Sequence, residues 1–281
     1  MQVALTGASG FTGHHVAAAL EAAGVEWVPL SVDLRDKDAV DRAVAGATFD
    51  RIIHLAGHAF VGVSDWAPFY HVNQLGTFNL LDAVARTRPG TRCIIASSAQ
   101  VYGPSAEGLI NEDAPTRPAN HYAISKLSME LGAGLWRDRL EIVVTRPFNY
   151  TGVGQASEYL VPKIVDHFKR RAPAIELGNT WVKRDFGDVR AVAAAYAGLV
   201  VADAPPPVVN LCTGVVSSIG EIVETLTALS DHDLEIRVNP AFVRTNDVAV
   251  LGGDATRLRT ALPEWQPGNL AETLEWMYRA N

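Results

Sequence analysis

The segment Gly7-Ala8-Ser9-Gly10-Phe11-Thr12-Gly13 constrains this chain more than any other. It follows a short apolar run, Val3-Ala4-Leu5, and opens a helical pattern over residues 11–23 with Val16, Ala19 and Leu20 on one face and Gly24 at its end. A strand, a glycine turn and a helix in that order begin a nucleotide-binding β-α-β unit. The glycines meet different needs. Gly7 permits a tight turn, Gly10 lets backbone approach a pyrophosphate with no Cβ between them, and Gly13 allows close packing of helix on strand. Ser9, Phe11 and Thr12 stand at the helix N-terminus, where free N–H groups and a partial positive charge favour phosphate.

The same alternation continues. Strands are expected over residues 26–30, 51–55, 93–96 and 141–145, and helices through Ala39, Val40, Ala43 and Val44 and over residues 72–86 and 122–137. This rhythm predicts an α/β fold, a doubly wound parallel Rossmann sheet with helices on both faces. After about Asn149 the rhythm degrades, with Pro162, Pro173 and Pro205-Pro206-Pro207 interrupting it. Residues 1–150 are therefore expected to form the dinucleotide-binding domain, rejoined by a return segment near 185–212. Residues 151–281 are expected to form mostly a second, smaller α/β substrate-binding lobe.

Composition narrows the partners. With 24 Lys+Arg against 31 Asp+Glu, the net charge is −7. That balance offers no long-range attraction to nucleic acid or to an anionic membrane, and neither is expected as a partner. The first residues lack a basic leader-like region, and no apolar run approaches the ~20 residues of a membrane span. The longest, over residues 191–202, is interrupted by Gly198 and reads as a buried helix, so a cytoplasmic protein is expected. Cys93 and Cys212 each have apolar neighbours and read as buried thiols rather than a disulfide. His54, His58 and His71 have no acids or cysteines at metal-ligand spacing, so they read as packed or solvated side chains and no metal is expected.

Tyr122 and Lys126 fall one helical turn apart on one face. A phenol with pKa near ~10 is a poor acid or base at neutral pH. An ammonium and an oxidised nicotinamide nearby would favour the phenolate and lower that value. Ser98, just past the strand 93–96, is the natural hydroxyl to bind the same substrate oxygen, because open α/β sheets bind ligands at strand carboxyl ends. The cofactor's adenosine end has two readings. Asp33, 20 residues beyond Gly13, is one candidate for the ribose carboxylate of NAD(H). Alternatively Ser31 closes the second strand, Asp33-Leu34 sits at the next strand end beside the adenine, and Arg35 faces a 2′-phosphate. The balance slightly favours NADP(H) over NAD(H). For Asp33 alone, a helix cap before residues 37–47 is a third reading.

These segments resemble the extended short-chain dehydrogenase/reductase family, in its sugar-nucleotide-modifying branch, over essentially the whole chain. His54-Leu55-Ala56-Gly57, Asn73 with Gly76-Thr77, Ser97-Ser98-Ala99-Gln100-Val101-Tyr102-Gly103 and Arg146-Pro147-Phe148-Asn149 carry the likeness beside the glycine turn and the Tyr122–Lys126 pair. The resemblance implies hydride transfer at a sugar carbon. It also implies that Leu55, Ala56, Gly57 and Pro147 line the cofactor, that Asn73 supports Lys126, and that Asn149 lies between nicotinamide and sugar. The run from Arg146 to Gln155, then Leu160-Val161-Pro162, Lys183-Arg184-Asp185-Phe186 and Asn239-Pro240 with Arg244, is similar to the GDP-6-deoxy-4-keto-mannose reductases, which form GDP-rhamnose. By that likeness Arg184 and Arg244 hold the diphosphate of the sugar nucleotide, a task that suits the arginine fork. For Arg184, an ion pair with Asp185 or Asp188 is the competing reading. Val161 and Gln100 would line the sugar, Asp247 would bond the nucleotide ribose, and Trp181 would wall the base.

Gln100 departs from the dehydratases of this branch, which carry a carboxylate there. An amide neither removes nor delivers a proton in the useful pH range. The expectation is thus a reductase of a nucleotide-linked 4-keto-6-deoxy sugar, with a 4-epimerase using the same residues as its rival and a 4,6-dehydratase behind both. Apolar residues over 75–84 and 124–135 predict a helical bundle shared by a homodimer.

Overall fold

The computed structural model describes residues 1–60, 64–104, 107–242 and 248–280. The first half alternates as expected: β1 (Gln2–Thr6), α1 (Phe11–Ala22), β2 (Glu26–Pro29), α2 (Lys37–Gly46), β3 (Arg51–His54), α3 (Thr77–Thr87), β4 (Arg92–Ala96), β5 (Gly108–Ile110), α4 (His121–Ala133) and β6 (Glu141–Pro147). The second half adds β7 (Asn149–Thr151), α5 (Leu160–Lys169), β8 (Ala174–Leu177), β9 (Lys183–Arg184), β10 (Phe186–Asp188), α6 (Val189–Val201) and β11 (Val208–Leu211). It closes with β12 (Ser217–Ser218), α7 (Ile219–Ser230), β13 (Glu235–Val238), β14 (Val250–Gly253), α8 (Thr256–Ala261) and α9 (Leu270–Arg279).

A six-stranded parallel sheet in the order β11-β6-β4-β3-β1-β2 forms the centre. Its inner strands are buried on both faces and read as near-continuous apolar runs, as in β4 and β6. One face packs Val16 and Leu20 of α1 with Val192, Ala195 and Leu199 of α6. The other packs Val40 and Val44 of α2, Leu80, Leu81 and Val84 of α3, and Met129 and Ala133 of α4. The apolar stretch around residue 191 is thus a buried helix. Among the described residues no helix is long and apolar enough to cross a membrane. Cys93 and Cys212 are buried free thiols.

Beyond β6 a separate core gathers Phe168 of α5, Ile222 and Leu226 of α7, and Leu274 of α9. Short pairings surround it: β7 with β10, β8 with β13, and β12-β9-β14-β5. A capping box at Ser218 and Glu221 starts α7, each side chain bonding the other residue's backbone N–H.

Two local expectations change. The helical pattern over residues 72–86 is not one α-helix, because residues Phe69–Gly76 wind as a π-helix before α3 begins. Apolar spacing alone does not separate the wider turn from an α-turn. Nor does a further strand follow β2 at Asp33-Leu34. That pair lies in the turn before α2, and β2 is the sheet edge.

His54, closing β3, is packed rather than solvated. Its Nδ1 meets Thr6 Oγ1 at 2.6 Å and its Nε2 meets Thr77 Oγ1 at 2.9 Å. The Thr77 hydroxyl donates to the Asn73 carbonyl, so it accepts from Nε2–H and leaves Nδ1 to accept from Thr6. Burial, helped by the charge on Lys126, pushes the His54 pKa from 6.5 down to about 3. In that window the unfolded chain binds a proton that the native one refuses. Stability is therefore complete above the upper value and falls as pH drops towards the lower one, by up to about 1.4 kcal/mol per pH unit. Urea unfolding across this range is expected to show that slope, and His54→Gln to flatten it.

Candidate active site

The carboxyl ends of four neighbouring strands carry the residues singled out above. Gly7 follows β1, Leu55 to Gly57 follow β3, Ser98 follows β4, and Pro147 and Asn149 stand at the end of β6 and the start of β7. The strand order turns back at β1, which places a crevice at these ends.

Gly7 has φ +71°, and a Cβ there would stand 2.8 Å from the Ala56 nitrogen. At Gly13 a Cβ would stand 2.0 Å from the Gly7 carbonyl oxygen, so this glycine packs on the turn itself rather than on the strand. Gly10 caps α1 with no side-chain acceptor, and no acid occupies the first turn. The helix therefore presents N–H groups that no side chain satisfies, on a turn too tight for side chains. Those features fit a dinucleotide diphosphate. Ser9 is exposed beside the turn. Phe11 stacks on Tyr150 with centroids 6.1 Å apart, and Thr12 Oγ1 bonds the Tyr150 hydroxyl at 2.8 Å.

At the adenosine end, Ser31 is exposed just past β2. Asp33 takes two bonds from the Arg35 fork, at 2.9 and 2.7 Å, and that guanidinium holds its carboxyl down at about 2. The cap of α2 is Asp36, which accepts from Ala39 N at 2.9 Å, so the capping reading of Asp33 is overturned. Leu34 does not stand open beside an adenine. It is buried in the main core, against the backbone of Gly76.

The three expected catalytic side chains converge. Asn120 caps α4 by accepting from Ala123 N at 2.8 Å, which starts the helix at His121, one residue before Tyr122. Tyr122 is buried against Phe69, edge to face at 5.8 Å, and its phenol is close enough to Ser98 for the serine to favour the phenolate. Ser98 also caps the short turn Ala99–Tyr102, accepting from Gln100 N at 3.1 Å. Lys126 Nζ donates to the Ala96 carbonyl at 2.7 Å. Burial draws the lysine down to about 8, with the Glu130 carboxylate opposing. Burial also drives the Tyr122 phenol up, with Ser98 opposing and Tyr150 and Tyr159 adding to the rise. Among the protein groups alone, burial therefore outweighs any lowering of the phenol. The lysine turns to a backbone carbonyl, and loss of water dominates.

Asn73 reaches Lys126 only through others. Its amide donates to His58 O and Ser125 Oγ at 2.9 and 3.2 Å, and its carbonyl accepts from His58 N at 2.7 Å. A Cβ on Gly57 would stand 2.8 Å from Asn73 Oδ1 and 3.4 Å from Lys126 Nζ, so glycine lets loop, asparagine and lysine meet. Leu55 and Ala56 are half-buried, and the Ala56 N–H is held by Thr6 Oγ1 at 3.2 Å. Asn149 is exposed and donates to Asp185 O at 3.3 Å, while Pro147 is half-buried.

The expected sugar and diphosphate ligands fare unevenly. Gln100 is exposed and accepts from the Asn120 amide at 3.0 Å. Val161, only 3% exposed, is turned into the core that Phe168, Ile222 and Leu274 share, because it falls on the inward face of α5. Arg184 donates to Val248 O at 2.8 Å. Its competing partners are engaged elsewhere, Asp185 with Thr213 and Gly214, and Asp188 with Arg190. Arg244 and Asp247 lie outside the described residues, and Trp181 stands exposed. Sequence reasoning missed Asn120, Tyr150 and Phe69. The first carried a signal, an asparagine directly before a helical pattern; the aromatic pair had none.

The chain matches the family model described as GDP-mannose 4,6 dehydratase over residues 28–277. It is 33% identical to GDP-6-deoxy-D-talose 4-dehydrogenase of Aggregatibacter actinomycetemcomitans, across 99% of this chain and 97% of that one. It is 35% identical to GDP-6-deoxy-D-mannose reductase of Pseudomonas aeruginosa, across 94% and 91%. The solved structure of RMD from Pseudomonas aeruginosa complexed with NADPH superposes with a TM-score of 0.89 at 32% identity, covering 99% of this chain and 96% of that one.

Gly13→Ala tests the turn. Backbone blocks the new Cβ, so a loss of at least ~1–3 kcal/mol is expected. The variant should also lose the stabilisation, about 2.7 kcal/mol at a hundredfold excess over Kd, that NADPH or NADH gives the parent in thermal unfolding.

Proposed function

The chain belongs to the extended short-chain dehydrogenase/reductase family of NAD(P)-dependent nucleotide-sugar oxidoreductases, and from that premise we propose that it reduces a 4-keto-6-deoxy sugar carried on GDP, converting GDP-4-keto-6-deoxy-mannose to GDP-rhamnose. The observation that carries this reading is a buried Tyr122 phenol beside Ser98, one helical turn from Lys126, with an amide at Gln100 where proton abstraction would need a carboxylate. Two relatives named for redox chemistry on GDP-6-deoxy sugars support the substrate class.

A bound nicotinamide dinucleotide supplies the hydride. Tyr122 delivers its phenolic proton to the sugar O4 as negative charge develops there. Burial opposes the phenolate, so proton delivery relies on Lys126 and the bound cofactor to draw the phenol back towards the working range. Ser98 donates to the same oxygen and stabilises it. Lys126, on the same helix face, favours the resulting phenolate electrostatically. The first turn of α1 and Gly7 hold the diphosphate of the cofactor. Asn149 orients the sugar, and Arg184, with Arg244 and Asp247, holds the substrate nucleotide.

NADP(H) is the proposed cofactor. Ser31 occupies the strand-end place where a carboxylate would repel a 2′-phosphate, and Asp33 is already neutralised by Arg35. Two unbonded buried cysteines fit a reducing compartment, the cytoplasm. Leu75 (50% exposed), Ile124 (40%), Leu131 (71%) and Leu135 (78%) stand open on the π-helical segment, on α4 and just past α4. Burying that face against a second copy makes the protein a homodimer.

With GDP-4-keto-6-deoxy-mannose, one NADPH should be consumed per sugar reduced. Interconversion of C4 epimers without net NADPH use would overturn the reductase reading. Tyr122→Phe should lower kcat by about 10²–10⁴-fold, leaving the Kd for NADPH within about twofold of the parent. Light scattering at micromolar concentration is expected to return the dimer mass, and a monomer would refute the shared face.

A further inference from the structure

Arg146, named in the motif Arg146-Pro147-Phe148-Asn149, has no part in the reaction as derived above. It lies on β6, buried, and its guanidinium meets both elements that deliver the catalytic groups. On one side Nε and Nη2 bond the Glu130 carboxylate of α4 at 3.0 and 2.6 Å. Glu130 follows Lys126 by one turn and Tyr122 by two, so all three share a helix face. On the other side Nη1 donates to the Tyr102 hydroxyl at 3.1 Å and to the Glu112 carbonyl at 3.2 Å. The guanidinium lies 5.0 Å over the Tyr102 ring. Tyr102 ends the turn Ala99–Tyr102 that Ser98 caps, and its hydroxyl is fixed in turn by Asn210 at 2.7 Å.

We propose that Arg146 is a positioning residue for the reduction: one fork clamps the Ser98 turn against α4, so that the Ser98 hydroxyl and the Tyr122 phenol are aimed at one substrate oxygen. This rests on the catalytic reading of Ser98 and Tyr122. A plain packing role would not call for a guanidinium, because removing two charges from water is expensive and well-packed apolar residues stabilise a core at least as well. What a planar fork adds is fixed direction in two bonds at once. Lysine in its place has one point of contact and cannot hold both elements.

The clamp also sets the charge around Lys126. Facing that ammonium are Glu130 from its own helix, His54 and Gly57 from β3 and the loop beyond it, the Ala96 carbonyl from β4, and Asn73 from the π-helical segment. Glu130 is the carboxylate among these, and Arg146 fixes where it stands. The ammonium is lost as pH rises, and Glu130 opposes that loss. Without the carboxylate, activity should therefore fail at a lower pH.

The test uses the full chain with NADPH and GDP-4-keto-6-deoxy-mannose, with circular dichroism melts to identify folded variants. Arg146→Lys should lower kcat by about 10–100-fold, the size of effect that a misplacement near 1 Å produces, with KM for NADPH within about twofold. Tyr102→Phe keeps the ring beneath the guanidinium but removes its hydroxyl bond, and should lower kcat by about 3–10-fold. Glu130→Gln should move the alkaline limb of the kcat profile to lower pH, whereas Tyr102→Phe should leave the limb in place. If Arg146→Lys fails to fold, the other two variants decide. Folded Arg146→Lys and Tyr102→Phe enzymes with kcat within about twofold of an active parent, or an unmoved limb in Glu130→Gln, would overturn the clamp alone. An inactive parent, or a Tyr122→Phe enzyme that still turns over, would overturn the catalytic reading and the clamp with it.

Discussion

The carbonyl oxygen of Gly7 occupies the space that a Cβ on Gly13 would need, with only 2.0 Å between them. That close approach seats the first turn of α1 on the end of β1. It aims the unsatisfied N–H groups of the helix at the crevice where the strand order reverses. The other site elements are arranged around this fixed point. Ala56 crowds Gly7 from the neighbouring strand end, and Tyr150 reaches back from β7 to bond Thr12. A substitution in the turn therefore disturbs two strand ends and the entrance to the second lobe together.

Desolvation governs the chemistry of α4. Removing Tyr122 and Lys126 from water drives the phenol up and the amine down, so burial moves the two groups apart in acidity. Glu130, one turn further along the same face, forms a neutralised pair with Arg146 of β6. They bring charge close to the lysine without leaving net charge buried.

Where the sequence misled, a contact invisible to local pattern had intervened. Asp33 pairs with Arg35, two residues on, and leaves the cap of α2 to Asp36. Leu34 follows Asp33 in sequence, but it turns inward because Gly76 leaves room for it. Val161 sits in a motif that resembled a sugar-binding run, yet the amphipathic face of α5 carries it into the core beside Phe168. The π-helical turn at Phe69–Gly76 buries Asn73 and Phe69 together, and periodicity at three or four residues does not reveal such a turn.

From the residues alone came the parallel sheet, the glycine turn and the spacing of Tyr122 with Lys126, because each is written in contiguous chain through periodicity, conformational freedom or helical pitch. The family likeness was legible for the same reason, since its motifs are short local runs. Tertiary structure alone decided which way each candidate faces. The burial of Tyr122 comes from Phe69 and its neighbours, and the tautomer of His54 from two threonines on β1 and α3. The link from Ser98 to α4 runs through Arg146 on a third element. These are contacts between residues far apart in the chain, and only packing brings them within reach of one another.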